Sequence, residues 1–231
     1  MMLRLRSEQK QHEDAHALPW AKRKMPSPTI ILANGTFPTA PQPLALLDAA
    51  ARIVCCDGAA IALMESGRTP TAVIGDLDSI SPELREKLAP MIVHVTEQET
   101  NDLNKAFRYC LSQGWTDIVI LGATGKREDH TLGNISLLVD FAQKVPGIKM
   151  VTDDGVFEVM LESGSREARV SQQISIFAME PDTHIETQNL KYPLNGLAPN
   201  RWWQATLNEA LATTFTLTFP QNHPLLIYKA F

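Results

Sequence analysis

The sequence predicts a parallel-sheet α/β/α domain followed by a small antiparallel β-sandwich. Two observations carry that prediction. Short β-rich apolar runs alternate with helical patterns up to about residue 150, which is the rhythm of parallel strands joined by helical crossovers. Beyond that point helical spacing stops, and Thr214-Phe215-Thr216-Leu217-Thr218-Phe219 alternates cleanly between polar and apolar, as a strand with one buried face does.

The strand-like runs of the first part are Thr29–Ala33, Arg52–Cys56, Ala72–Ile74, Ile92–Val95, Asp117–Leu121 and Ile148–Val151. Helical patterns fill Pro43–Ala51, Ala59–Ser66, Pro82–Leu88, Asp102–Gln113 and His130–Lys144. In the fourth of these, Leu103, Ala106, Phe107, Cys110 and Leu111 fall on one face at the helical period. After residue 150, Val156–Met160, Gln173–Phe177 and Thr214–Phe219 read as strands separated by turns such as Asp153-Asp154-Gly155 and Ser163-Gly164-Ser165. The division is therefore a polar, poorly ordered extension over residues 1–27, an α/β domain over 28–150 and a β-sandwich over 151–231. Met25 offers an alternative start for the folded part.

Composition narrows the function. The 231 residues are 44% hydrophobic, which is ordinary for a globular chain, and the net charge is −5. Nothing in that balance suits a nucleic-acid partner. The first 28 residues hold six basic and three acidic side chains, so the remainder stands at −8. Cys55, Cys56 and Cys110 offer no metal-binding spacing, and three cysteines suit a reducing compartment. No run approaches the ~18 apolar residues of a membrane span, and the basic N-terminus has no apolar segment of a secretory signal. A cytoplasmic location is the expectation.

Polar clusters follow the strand runs. Asn34-Gly35 follows the first, Asp57-Gly58 the second and Gly75-Asp76-Leu77-Asp78-Ser79 the third. Gly122-Ala123-Thr124-Gly125-Lys126-Arg127-Glu128-Asp129-His130 follows the fifth and opens a helix. In an open parallel sheet, ligands bind outside the carboxyl ends of the strands. Two aspartates one residue apart at such a place suit Mg²⁺ carrying phosphates; read as turn chemistry, they only lead to a helix capped by Ser81. Asp57-Gly58 is equally a turn, and Asp102 equally an acid at a helix start. The Gly122–Lys126 segment resembles a phosphate loop but is neither a Walker A sequence nor the dinucleotide fingerprint. Arg127 offers a fixed fork to phosphate, or forms an ion pair with Asp129. His94 reads as a core or edge residue.

Taken in order, Asp57-Gly58-Ala59, Gly75–Ser79, Gln98-Glu99-Thr100-Asn101-Asp102 and Gly122-x-x-Gly125-x-Arg127-x-Asp129-His130-x-x-Gly133-Asn134 resemble thiamin pyrophosphokinase. Leu190–Leu194, Thr206–Glu209 and His223–Leu226 resemble that family's small β-domain, so the resemblance runs over residues 29–231. It implies transfer of a diphosphoryl group from ATP to the hydroxyl of thiamin, leaving AMP. By motif position, Asp76, Asp78 and Asp102 would hold Mg²⁺ against the triphosphate, Asp57 would support the acidic cluster, and Gln98 would orient phosphate or substrate. Asn34, Gly35, Thr124, Arg127, Asp129 and His130 would line the nucleotide site. Thr206 and Asn208 would bind substrate, thiamin lying between one subunit's α/β domain and the other's β-domain in a homodimer. The family shows Thr-Ser-Asn where this chain has Thr206-Leu207-Asn208, which removes a hydroxyl from the substrate face. Trp202 and Trp203, just before it, suit stacking on a ring or an interface.

Clustered aspartates repel one another without a cation, so metal and ATP are expected to bind together, with Asp102→Asn abolishing turnover. Three rivals share parts of this pattern. Asp76-x-Asp78 resembles the nucleophile motif of haloacid-dehalogenase-like phosphatases, with Asp153-Asp154 as the later acidic pair, but that family carries the motif on its first strand. A diphosphokinase acting on a pterin-type alcohol shares the chemistry. A non-catalytic nucleotide sensor needs no acidic set around the middle phosphorus.

Overall fold

The computed structural model describes residues 27–75, 80–95, 97 and 99–231. Most of the N-terminal extension, together with Asp76, Asp78 and Gln98, lies outside the described residues.

Six parallel strands form the first half: β1 (Thr29–Leu32), β2 (Arg52–Cys56), β3 (Ala72–Gly75), β4 (Ile92–His94), β5 (Ile118–Leu121) and β6 (Lys149–Val151). Their spatial order is 4-3-2-1-5-6. Helices α1 (Pro41–Ala49), α2 (Ala59–Glu65), α3 (Pro82–Leu88), α4 (Asp102–Ser112) and α5 (Glu128–Lys144) join them. The sheet is covered on both faces because its apolar runs point alternate residues both ways. Ile30, Leu32, Ile53, Cys55 and Val73 pack with Leu47 of α1, Ala60 and Leu63 of α2 and Leu88 of α3. Ile31, Val54, Cys56 and Ile74 pack on the other side with Leu103 and Phe107 of α4 and Leu138 and Phe141 of α5.

Local chemistry sets the helix starts. Ser81 accepts a hydrogen bond from the Leu84 N–H (3.3 Å) ahead of Pro82, and Asn101 accepts one from Asn104 (3.0 Å) ahead of α4. Helix α5 begins at Glu128, two residues before the sequence expectation, with Glu128 and Asp129 in its first turn where acids complement the helix dipole. Phe107 and Phe141 stack with ring centroids 4.0 Å apart, fixing α4 against α5.

The second half comprises β7 (Gly155–Met160), β8 (Gly164–Glu167), β9 (Gln173–Ala178), β10 (Glu186–Gln188), β11 (Asn208–Glu209), β12 (Thr214–Thr218) and β13 (Leu225–Ala230). Four of these do not start a fresh sheet. β7 pairs antiparallel with β6, β13 lies between β7 and β9, and β11 closes the edge, giving one ten-stranded mixed sheet. The three-stranded sheet β10-β12-β8 packs on its antiparallel part. Phe215 and Leu217 from the small sheet meet Ile174, Ile176, Leu225 and Ile227 from the large one. Lys229 ties the layers as well: its Nζ lies 2.8 Å from Glu158 Oε1 and donates to the Glu167 carbonyl at 3.2 Å.

Candidate active site

The chain runs outward from β1 through β2, β3 and β4, then returns to the other side of β1 with β5. A crevice opens at such a switch point, outside the carboxyl ends of the two neighbouring strands. Here the loops after β1 and β5 are zipped together. Gly35 N–H donates to Gly122 O (2.7 Å) and Thr36 N–H to Thr124 O (2.8 Å). A side-chain carbon on Gly35 would lie 2.3 Å from Thr124 O, so only glycine allows this approach. Lys126, in the left-handed region at φ 60°, reaches back so that Nζ donates to both the carbonyl and Oδ1 of Asn34, each at 3.1 Å.

A cavity of about 410 Å³ lies at this switch point. Asn34, Gly35, Asp57, Asp102, Arg127 and His130 all line it, as do Lys105, Lys126, Asn101 and Asn134. Six expected site residues from four loops thus meet in one place. Asp57 directly follows β2, is 6% exposed and has φ 38°. Its N–H donates to Ile74 O at 2.8 Å, and its Oδ1 is buried with no hydrogen-bond partner among the described residues. Gly75 makes room for it, since a side-chain carbon there would meet Asp57 Cβ at 2.9 Å.

Asp102 and Lys105 stand one turn apart on α4, with Nζ 3.3 Å from Oδ1. The Lys105 side chain is 3% exposed, and a buried ammonium is costly unless it meets negative charge. The sequence reading passed over Lys105. The signal was a lysine inside the buried stripe of Leu103, Ala106 and Phe107, three residues after an acid. Asn101 Nδ2 donates to Asn134 Oδ1 (3.1 Å) and Asn134 Nδ2 to Ala123 O (2.9 Å), which fixes α4, α5 and the β5 loop relative to one another.

Glu97, also unmarked in the sequence, anchors the segment before α4. Its carboxylate accepts from Thr100 Oγ1 (2.5 Å), Thr100 N (3.1 Å) and Glu99 N (2.8 Å), and pairs with Arg108. The Thr100 hydroxyl above all, together with the backbone donors and Arg108, brings its pKa down to about 2. Cys56 lines the cavity as a protonated thiol, pushed up by burial and then by the Asp102 charge.

Arg127 gives its fork to Asp129, Nε to Oδ1 at 3.1 Å and Nη2 to Oδ2 at 2.6 Å, so the ion-pair alternative is the one formed. Asp129 faces that guanidinium rather than the cavity, and Thr124 serves the loop zipper through its carbonyl. His94 ends the edge strand β4.

Thr206 and Asn208 stand elsewhere, at the β11 edge of the large sheet. Asn208 is 3% exposed; its Oδ1 accepts from Tyr192 N (3.0 Å) and its Nδ2 donates to Tyr192 O (2.7 Å). Thr206 Oγ1 donates to Trp203 O at 2.8 Å. Leu207 between them is left-handed at φ 58° and 70% exposed. Trp202 meets Phe177 edge to face at 5.9 Å, whereas Trp203 is 73% exposed.

Among the described residues no three metal-ligating side chains converge. The donor set nonetheless fits a hard cation: Asp57 offers a buried oxygen that has no partner among the described residues, Asp102 lines the same cavity, and both are the oxygen ligands Mg²⁺ takes. β3 ends at Gly75, against Asp57.

Known proteins give the same picture. Residues 44–151 match the thiamin pyrophosphokinase catalytic domain and residues 155–228 the thiamin pyrophosphokinase substrate-binding domain. Thiamine pyrophosphokinase of Bacillus subtilis is 31% identical over 147 residues, covering 60% of this chain and 68% of that one. The crystal structure of a Bacillus subtilis thiamine pyrophosphokinase superposes with a TM-score of 0.73 at 26% identity, covering 87% of this chain and 98% of that one. The yeast enzyme, at 16% identity, shares the fold with a TM-score of 0.73 over 90% of this chain and 88% of its own. With its fold, its switch-point cavity and both domain matches in agreement, the chain belongs to the thiamin pyrophosphokinase family.

Proposed function

We propose that the switch-point cavity is where this chain transfers the diphosphoryl group of ATP to the hydroxyl of thiamin, giving thiamin diphosphate and AMP. One observation carries the placement: Asp57 and Asp102 share a single cavity with Lys105, Asn34 and Gly35. The reaction is an in-line displacement at the β-phosphorus. The thiamin oxygen forms the new P–O bond, the bond to the α-phosphate oxygen breaks, and the hydroxyl proton leaves to solvent or to a carboxylate. Such transfers rest on positioning and charge neutralisation.

Asp57 and Asp102, with Asp76 and Asp78, would hold Mg²⁺, which would supply charge neutralisation at the phosphates. The protein's own groups do the rest. Lys105 places a buried ammonium beside Asp102 for a phosphate oxygen. Gly35, carrying no side chain, lets the phosphates approach the loop backbone. His130 and Arg127 stand at the cavity rim, where they would meet the nucleotide. Gln98 would orient phosphate or substrate from the segment before α4.

The substrate half supplies the other side of the site in a homodimer. Tyr192, Trp203, Leu207 and Leu211 are large, apolar and more than half exposed, which is what a covered surface requires. Thr206 and Asn208 would then shape the thiamin subsite from a second subunit. No helix among the described residues is long and apolar enough to cross a membrane. With three buried free thiols, this supports a reducing, cytoplasmic setting.

The direct test incubates the full chain with ATP, Mg²⁺ and thiamin. AMP and thiamin diphosphate in equal amounts are expected. ADP with thiamin monophosphate, or free phosphate without AMP, would overturn the assignment.

A further inference from the structure

Glu97 organises the chain that enters the cavity ahead of α4. Its Oε2 accepts from the backbone N–H of Glu99 at 2.8 Å and of Thr100 at 3.1 Å, and its Oε1 accepts from the Thr100 hydroxyl at 2.5 Å. Arg108, one turn beyond Lys105 on α4, pairs with the same Oε1 and donates from Nη2 to Thr100 Oγ1 at 3.2 Å. Glu97, Thr100 and Arg108 therefore form a closed ring in which each side chain holds the other two. Of the described residues between 97 and 105, Thr100, Asn101, Asp102, Leu103 and Lys105 line the cavity, whereas Glu97 does not.

The ring is poorly placed to serve stability. The Glu97 side chain is 31% exposed and that of Arg108 49%, and exposed ion pairs contribute little to folding. Nor does α4 need it to begin, because Asn101 already caps the helix through the Asn104 N–H at 3.0 Å. What the ring fixes is direction. Its two ends, Glu97 before the helix and Arg108 within it, bracket Asp102 and Lys105 in the chain. Asn101 ties the same turn to Asn134 of α5 at 3.1 Å. A helix start held by two separate sets of hydrogen bonds cannot turn without breaking one of them.

We propose that Glu97 is a positioning residue for the diphosphoryl transfer, acting through Thr100 and Arg108 to hold Asp102 and Lys105 at the angle the phosphates require. This rests on the diphosphokinase reading of the cavity. The charges of Asp102 and Lys105 lower the barrier only where they meet the phosphate oxygens of the in-line transition state, and a small displacement forfeits that. Binding of the nucleotide draws on other walls of the cavity, among them Asn34, Gly35, Arg127 and His130. Loss of the ring therefore falls on kcat rather than on affinity.

The test measures steady-state AMP production by the full chain at saturating thiamin, beside thermal melts and calorimetric titration with MgATP. Glu97→Ala is expected to lower kcat about five- to twentyfold while leaving the KM for ATP and the calorimetric Kd within about threefold. Its melting point is expected to fall by less than about 3 °C. Glu97→Gln keeps an acceptor for the Glu99 and Thr100 amides and is expected to recover part of kcat, and it serves the same comparison if the alanine variant does not fold. Arg108→Met is expected to lower kcat as well, and the double variant to fall within about twofold of Glu97→Ala alone, because both changes open one ring. A kcat within about twofold of the native chain for Glu97→Ala, or losses that multiply in the double variant, would overturn the positioning role. So would a loss of MgATP affinity as large as the loss of kcat. If the unsubstituted protein binds MgATP but makes no AMP from ATP and thiamin, the diphosphokinase reading itself falls, and the positioning role with it.

Discussion

Lys105→Met probes the proposed charge arrangement most directly. Methionine keeps the length of the side chain and deletes its charge. Two readings of Lys105 give different outcomes. If the residue only pairs with Asp102, the substitution acts on stability. Breaking a fully buried pair by removing one partner costs ~3–5 kcal/mol. Asp102 is 36% exposed, however, and water solvates its carboxylate once the ammonium is gone. Loss of the Lys105 desolvation cost offsets part of the remainder, so the net change is expected near ~1 kcal/mol, or a melting shift of ~2–4 °C for a chain of this size. If Lys105 also meets a phosphate oxygen, one charged hydrogen bond of ~1.5–3 kcal/mol disappears from the transition state. That lowers kcat/KM for ATP by about 10- to 100-fold.

The assay pairs a thermal melt with steady-state AMP production at varied ATP and saturating thiamin. A drop in kcat/KM far beyond the thermal shift supports the phosphate role. Lys105→Arg retains the charge and is expected to recover part of the loss. If Lys105→Met turns over within about twofold of the native chain while its melting point falls, Lys105 is a structural partner and the charge argument is wrong.

Further tests concern the scaffold. Phe107→Ala removes a ring that is 1% exposed and stacked on Phe141; unfolding in urea is expected to show a loss of ~3–5 kcal/mol, and a loss under ~1 kcal/mol would mean that α4 and α5 are held by other contacts. Gly35→Ala places a methyl against Thr124 O, which its 2.3 Å approach forbids; nucleotide affinity is expected to fall at least tenfold while Gly114→Ala, at an open left-handed turn, costs only stability. Glu97 titrates near pH 2, so its anchor contributes fully above about 4.5 and is lost as pH falls from there through about 2. A carboxyl-resolved NMR titration reads this directly, and a Glu97 midpoint near 4.5 would show that the Thr100 and Arg108 contacts do not persist in solution.

The parts of the fold that show in the sequence are those whose burial is local. β1, β2, β3 and β5 are short apolar runs because helices cover both sides of them, and α4 declares itself through Leu103, Ala106, Phe107 and Cys110. β13 was not marked as a strand, although it is central to the second half. Its partners are β7, some 70 residues earlier, and β9, some 50 earlier, and nothing local reports such pairing. Gly164–Glu167 and Glu186–Gln188 lack an apolar face and become strands only by flanking β12. At the candidate site, Asp57 and Asn34 were legible because polar groups after buried strands collect at one sheet edge, whereas Asp102, at a helix start, stood out only through the family resemblance. Lys105 was not legible, because a lysine within a helical stripe reads as the solvated flank of that stripe. Arg127 was visible as a cation, yet its engagement with Asp129 depends on side-chain geometry rather than on order in the chain.

The junction between the two halves carries a mechanical consequence. β6 and β7 are joined by a tight turn, and their antiparallel pairing makes one sheet of what reads as two domains. The same turn reaches the loop after β1. Asp153 accepts hydrogen bonds from Thr39 N–H (3.0 Å) and Ala40 N–H (3.1 Å) through Oδ1. Ala40 has no side chain to cap α1, so a carboxylate from the junction turn caps that helix from outside. Partial burial raises the Asp153 carboxyl, but the Thr39 and Ala40 donors outweigh it and hold it below the usual range. The loop carrying Asn34, Gly35 and Phe37 is thus pinned at one end by the β5 loop and at the other by the junction. Rotating one half against the other would strain both the β6–β7 ladder and this cap. Closure around substrate therefore falls to loop segments rather than to a hinge between the halves.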